Sequence, residues 1–474
     1  MKEPYRWARW GMLALFLLLS LITLDYNGPF FDEGIFVTAG LRTLEPIPHR
    51  DGFLTWFAGS LIWPVLAGLG YRVGGLIGTR AAAVLFGAVS LAAFGQATRN
   101  VFGEKVGFWA TLALALNGPF VALARLGVYD VPALAGIAVS LWAITELTRR
   151  DHRAWLVAAV MAYVFAIFAK YPSALMVVPL LGVLFLLREE KAMMDGMTFL
   201  FLASAVGLIF FLPAREQIGT FFNWRLQNRP QFGASLSVIG FVLLYLNAAP
   251  LLLGLTGWRV SERGRGFGLL LLPALGIWPA YHLLAGDPVG VNKHIVFGFL
   301  FVYPLVGVAL NKLWGGDQPR AWLRRAATVA LLLSLAGLGL VQVNQSDHSW
   351  PDLRPAAGVL RSAVEPGDQL LINESWPFTM VLYAAGRISS PWDVYDTYRI
   401  THEQVPDLCA YDWVVDVRGS YAWPSDTRDA LEQCETYRLF YRHTSTVINL
   451  GADFTYVRYP VETVVWINNV ERPQ

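Results

Sequence analysis

Charge is what this chain has least of. Asp, Glu, Lys and Arg make up 15% of its 474 residues, where a soluble enzyme carries about a quarter, so a water-soluble enzyme is excluded as the class. The formal net charge is only +2, and no basic tract with interleaved aromatics stands outside the loops, which leaves no footprint for nucleic acid. Cysteine is scarce as well. Cys409 and Cys434 are the two in the sequence, and their spacing fits no zinc motif. Internal repeats, low-complexity tracts and long linkers are also missing, which argues against a solenoid or a string of modules. What is there is apolar: 55% hydrophobic and 14% aromatic residues, with a mean hydropathy of +0.45. That is the composition of a polytopic α-helical membrane protein with aromatic anchors at its interfaces.

Apolar runs suited to crossing a hydrocarbon core of about 30 Å fall at 10–25, 79–98, 106–123, 132–147, 154–170, 173–187, 196–213, 235–257, 267–285, 294–311 and 326–342. These predict eleven transmembrane helices. The first run follows Lys2, Arg6 and Arg9 and leads into the bulky Asp25-Tyr26-Asn27 with no small-x-small cleavage site. It is expected to be an uncleaved signal anchor with a cytoplasmic N-terminus. One further run, 53–71, decides the topology. It carries Trp56, Trp63, Pro64 and several glycines, with Arg72 and Arg80 close behind, and this suits a segment lying along the interface. If it does not cross, the basic clusters Arg99/Lys105, Arg149/Arg150/Arg153, Arg188/Lys191, Arg259/Arg263/Arg265 and Lys312/Arg320/Arg324/Arg325 all face the cytoplasm, as orientation by Lys and Arg requires.

The expected organisation is a transmembrane domain over 1–343, whose first outer loop at about 25–78 contains interfacial helices, and a soluble extracytoplasmic α/β domain over 344–474. In that last stretch hydropathy falls. PDLRPAAGVLRSAVEPGDQLLINES reads as helix, turn and strand, and DWVVDVRGS, STVINL and TYVRYPVETVVWIN read as strands. Both cysteines lie there. A disulfide and a pair of buried thiols fit equally well.

With this topology the outer face collects the polar residues. LDYNGPFFDEGIF supplies Asp32 and Glu33, two adjacent carboxylates just after the first span, where they are costly near lipid and therefore a candidate functional pair. Asp51 follows in the same loop. LARLGVYDVPAL supplies Arg125 and Asp130, Lys170 closes a short turn before Tyr171-Pro172, and Lys293-His294 precede the tenth span. Each has a structural alternative. Asp32 or Glu33 could pair with a cation or cap a helix, Asp130 could be an N-cap, Lys170 could snorkel to the interface, His294 could be a packing histidine, and Asp51, Arg215, Arg225 and Arg229 could be solvated loop residues.

DEG after the first span, ARLGVYD after the third, KYP between the fifth and sixth, and NKHIVFGFLFVYP entering a late span resemble the membrane glycosyltransferases of the GT-C fold, in particular the protein O-mannosyltransferase and aminoarabinose transferase group. The order of elements is similar along nearly the whole chain, while the residue matches are short. Two departures concern the sugar donor: Gly34 follows the acidic pair without the tyrosine often found nearby, and Lys293-His294 stand where an Arg-Tyr pair is frequent.

The resemblance implies sugar transfer from a polyprenyl-phosphate donor to a lipid, glycan or protein acceptor at the outer face of the inner membrane. A sugar hydroxyl becomes a nucleophile when a base takes its proton during attack, and Asp32 is the expected base, with Glu33 beside it. Direct displacement by the acceptor oxygen, with a single carboxylate as base, inverts the anomeric centre. The second carboxyl group that hydrolases use is not needed, because lipid phosphate leaves as a stable anion. Arg125, Lys293 and His294 are expected to hold that phosphate, with Asp130, Lys170 and Asp51 as further substrate-binding residues. The resemblance fixes no cofactor. A divalent cation, Mg or Mn, remains open, with Asp32, Glu33 and Asp130 as its candidate ligands. A secondary transporter or flippase of an anionic or lipid-linked substrate is the rival reading, and a non-catalytic assembly protein is a second.

Overall fold

The computed structural model describes residues 3–46, 52–227, 236–260, 262–285, 290–315, 321–396, 407–419, 425–450 and 456–468. In chain order the first helices are α1 (Glu3–Ile22), α2 (Phe31–Thr43), α3 (Ile62–Phe102), α4 (Glu104–Ala115) and α5 (Gly118–Arg125). They are followed by α6 (Asp130–Arg150), α7 (Ala154–Ala169), α8 (Val177–Arg188), α9 (Ala192–Gln227) and α10 (Leu236–Val260). Then come α11 (Glu262–Ala274), α12 (Ile277–Ala285), α13 (Val291–Trp314) and α14 (Ala321–Asp347). Among the described residues each of the eleven apolar runs lies mainly on helix. By length and hydropathy, seven helical stretches among the described residues qualify as spans, or eight when α4 and α5, bent by 67°, count as one.

The chain divides into two compact units. The first comprises Met1–Leu24, Phe57–Ile62 and Ala81–Val343. Its innermost helix is α13, buried at every position from Val291 to Leu310 except Asn292, Lys293 and His294. The helix α6 is nearly as enclosed. An apolar helix buried all round belongs at the centre of a bundle. It packs against α7 so closely that a Cβ on Gly136 would lie 2.7 Å from the Ala162 carbonyl and 2.8 Å from the Ala166 methyl. Glycine is thus what lets the two backbones approach. The turn between α4 and α5 is capped by Asn117, whose side chain accepts from the Phe120 amide at 2.9 Å, with Pro119 in the first turn.

The second unit comprises Asp25–Trp56, Trp63–Arg80 and Asn344–Gln474. Its sheet has the order β2-β1-β3-β5-β4, with β1 (Leu370–Ile372), β2 (Val394–Tyr395), β3 (Trp413–Arg418), β4 (Tyr437–Leu450) and β5 (Tyr456–Asn468). β1 runs parallel to β2 and β3, whereas β5 runs antiparallel to β3 and β4. Leu371, Val414, Tyr411 and Leu431 form a core on the sheet, and helices α15 (Arg354–Ala363), α16 (Ser375–Ala384) and α17 (Ser425–Glu432) accompany it. Cys409 and Cys434 form a disulfide with their Cα atoms 5.6 Å apart, which decides between the two readings the sequence left open.

One boundary between the two units falls at Val343/Asn344. Asp25–Trp56 and Trp63–Arg80 group with the C-terminal chain, and side chains show why. Asn27 donates to the carbonyls of Asp347 (2.9 Å) and Trp350 (3.0 Å). Phe53 stacks on Trp376 with 5.4 Å between centroids, and Arg42 donates to the Tyr383 hydroxyl at 3.1 Å. The run 53–71 is no straight span. A short 3₁₀ turn (Phe53–Phe57) is followed by the first arm of α3, which breaks at Gly74 and Gly75, where φ and ψ leave the helical region.

Candidate functional site

In the first unit three helix ends bring ionisable side chains together. Asp130 opens α6, Lys170 ends α7, and His294 lies in the first turn of α13. The Lys170 ammonium contacts both the Asp130 carboxylate and His294 Nε2. Asp130 is 1% exposed and Lys170 5%. A buried charge persists only when it is paired and hydrogen-bonded, and this pair meets that condition. Asp130 is therefore not the N-cap; Tyr129 holds that position. Nor does Lys170 snorkel outward. Its ammonium lies 4.7 Å from the Tyr129 ring centroid and 5.9 Å from that of Trp278, within cation–π range. His294 Nε2 is 3.4 Å from Asp130 Oδ1, and its Nδ1 lies 2.7 Å from Nε2 of His282 on α12. The two imidazoles stack at 4.8 Å, and the Trp278 indole lies 4.4 Å from His294. Trp278 Nε1 is buried with no hydrogen-bond partner among the described residues. Lys293, next in the chain, is near enough to add its charge to the field at Asp130.

Arg125, in the last turn of α5, is 3% exposed and donates to the Thr23 carbonyl. A cation there also suits the helix C-terminus.

In the second unit the two carboxylates of the acidic couple have different surroundings. Glu33 is fully buried and paired with Arg80, which is equally buried. Arg80 donates through Nε to Glu33 Oε1 (2.9 Å) and through Nη2 to Oε2 (2.8 Å). It also donates to the carbonyls of Asn27 (3.0 Å) and Gly28 (2.8 Å), and it lies over the Tyr26 ring at 4.1 Å. The Phe30 amide donates to Glu33 Oε2 at 2.8 Å. Both oxygens of Glu33 are thus engaged in holding the turn 26–30 and starting α2. Asp32, one residue earlier in the first turn of α2, is half-buried. Asp51 and Arg229 lie outside the described residues, as does the side chain of Arg225.

Among the described residues no group of three or more His, Cys, Asp or Glu gathers to hold a metal ion, and no metal role is assigned to Asp32, Glu33 or Asp130. Sequence reasoning gave no site role to Arg80, His282 or Trp278. Arg80 and His282 do carry a signal, because each is a lone ionisable residue inside an apolar run.

An apolar bundle with ionisable groups at its helix ends, followed by a small mixed sheet, is the architecture of a polytopic membrane protein of the GT-C fold. Comparison with known proteins makes this more particular. Residues 64–215 match the family model described as dolichyl-phosphate-mannose-protein mannosyltransferase. Over the whole length the chain is similar to ArnT from Cupriavidus metallidurans bound to undecaprenyl phosphate, with a TM-score of 0.62, 17% identity and 98% of each chain covered. It is also similar to the Archaeoglobus fulgidus oligosaccharyltransferase in the apo form, with a TM-score of 0.56, 13% identity, and 95% of this chain and 74% of that one covered. The archaeal oligosaccharyltransferase AglB from A. fulgidus, in complex with an inhibitory peptide and a dolichol-phosphate, gives a TM-score of 0.52 at 13% identity, covering 95% and 74%. No curated protein matches the chain.

Proposed function

We propose that this protein is a glycosyltransferase that moves a sugar from a polyprenyl-phosphate donor to a hydroxyl or phosphate of a lipid, glycan or protein at the outer face of the inner membrane. In this reading the N-terminus is cytoplasmic and residues 344–474 are extracytoplasmic. The observation that carries it is the row Asp130, Lys170 and His294 at helix ends of a GT-C bundle, with Asp130 and Lys170 buried, because a lipid phosphate requires cations held in place where water is scarce. The match of 64–215 to a dolichyl-phosphate-mannose-dependent family supports the same donor class. So do two proteins of this fold whose structures hold undecaprenyl phosphate and a dolichol-phosphate.

Asp32 acts as the general base. It accepts the acceptor's proton as the acceptor oxygen bonds to the anomeric carbon, while the bond from that carbon to the phosphate oxygen breaks and the lipid phosphate leaves with the electron pair. The product is inverted. Glu33 is held in its pair with Arg80, so the base role falls to Asp32. Lys170, Lys293 and Arg125 supply positive charge for the donor phosphate, with Asp130 and His294 as the partners of Lys170; Asp51 is retained as a further substrate-binding residue.

The test uses the purified full chain in lipid nanodiscs with a panel of undecaprenyl-phosphate sugars. Acceptor-dependent release of undecaprenyl phosphate, with inverted configuration in the product, is expected for at least one donor. No release with any of them, together with movement of an intact lipid-linked donor across liposomes, would establish the transporter reading instead.

A further inference from the structure

The row of side chains that begins at Asp130 does not end at His294. A lysine ammonium has donors and no acceptor, so its contact with His294 Nε2 makes that nitrogen the acceptor. The ring proton of His294 must then sit on Nδ1, which lies 2.7 Å from His282 Nε2. In that tautomer Nδ1 donates there and His282 Nε2 accepts. Each partner thereby dictates the next: carboxylate, ammonium, imidazole, imidazole. His282 is 1% exposed, and in an apolar helix such as α12 a buried imidazole that did nothing would be a liability.

We propose that His282 is a positioning residue for the donor-phosphate site. By accepting from His294 Nδ1, it fixes the tautomer and ring orientation of His294, which in turn presents Nε2 to Lys170 and holds the ammonium where the donor phosphate is bound. Two other features of the group fit this role. Trp278, which packs on His294 at 4.4 Å, has a buried indole N–H without a hydrogen-bond partner among the described residues, a donor of the kind a phosphate oxygen satisfies. The Lys170 ammonium and the Asp130 carboxylate also cancel in formal charge, so what Lys170 itself gives a phosphate depends on where its ammonium is placed. This inference rests on the phosphate role proposed above for Lys170.

The experiment compares His282→Phe, which keeps a ring against His294 but has no acceptor, with His282→Gln, whose Oε1 can take the Nδ1–H. In the full-length protein, His282→Phe is expected to raise the donor KM about tenfold, the size of one net hydrogen bond, while kcat changes by less than about threefold. His282→Gln should return KM to within about threefold of wild type, and both variants should melt at the same temperature. A second measurement needs no variant: nitrogen NMR of the wild-type histidines should find the His294 proton on Nδ1. Equal KM values for the Phe and Gln variants, or a His294 proton on Nε2, would overturn the proposal. Lys170→Gln separates the two levels. If it transfers sugar at wild-type donor affinity, the phosphate reading itself fails; if it loses affinity while His282→Phe does not, only the role of His282 fails.

Discussion

At the scale of single residues, the sequence announced two carboxylates and the fold treats them differently. Glu33 and Arg80 form a fully buried pair, and removing one partner from such a pair leaves an uncompensated charge. Arg80→Gln is therefore expected to destabilise the protein by about 3–5 kcal/mol, measured as a loss of folded yield and a lower melting temperature in detergent. Melting unchanged from wild type would remove the pair from the structural account. Tyr383 offers a pH test. Burial, reinforced by the hydrogen bond its hydroxyl donates to Glu45, pushes its phenol up to about 12. The folded value lies above the unfolded value of about 10, so the stability it contributes is complete below about pH 10 and is lost as pH rises through about 12. The stability difference between wild type and Tyr383→Phe should shrink across that window, and a constant difference would contradict the assignment. Arg80 was legible as an outlier in an apolar run. Its partner was not, because the pairing joins residues that sequence periodicity does not relate.

At the scale of elements, the eleven apolar runs were readable because a helix in lipid must satisfy its own backbone and present apolar side chains all round. The grouping of the first loop with the C-terminal chain was not readable. It rests on single hydrogen bonds and ring contacts between residues some 320 apart, such as Asn27 with Asp347 and Trp350. Gly34, which departs from the pattern of the resembled group, has a local reason. A Cβ there would lie 2.5 Å from the Trp376 carbonyl oxygen and 2.6 Å from its carbon, so α2 and the start of α16 can meet only over a glycine. Gly34→Val should cost about 1–3 kcal/mol through forced displacement, read by thermal unfolding, whereas Gly11→Val, at a glycine with no neighbour in reach, should be tolerated. Equal effects would sink the close-approach argument. The disulfide Cys409–Cys434, with a sequence separation of 25, should contribute about 2–4 kcal/mol. Reducing agent should accordingly lower the melting temperature of wild type and leave a Cys409→Ser/Cys434→Ser variant unmoved.

At the scale of the whole molecule, the basic loops predict how the first unit lies in the membrane. Single cysteines at Gly103, His152 and Glu190 should react with an impermeant reagent from the cytoplasmic side, and one at Gly290 from the outer side; the two native cysteines are disulfide-bonded and silent. A split among the first three would break the proposed orientation.

The central claim is sugar transfer with Asp32 as its base, and one substitution tests it most directly. Asp32→Asn keeps the shape of the side chain and removes its ability to take a proton. Turnover with a polyprenyl-phosphate sugar should fall by about 10²–10⁴-fold while binding of undecaprenyl phosphate stays within about threefold of wild type. Wild-type turnover in the Asn variant would contradict the account.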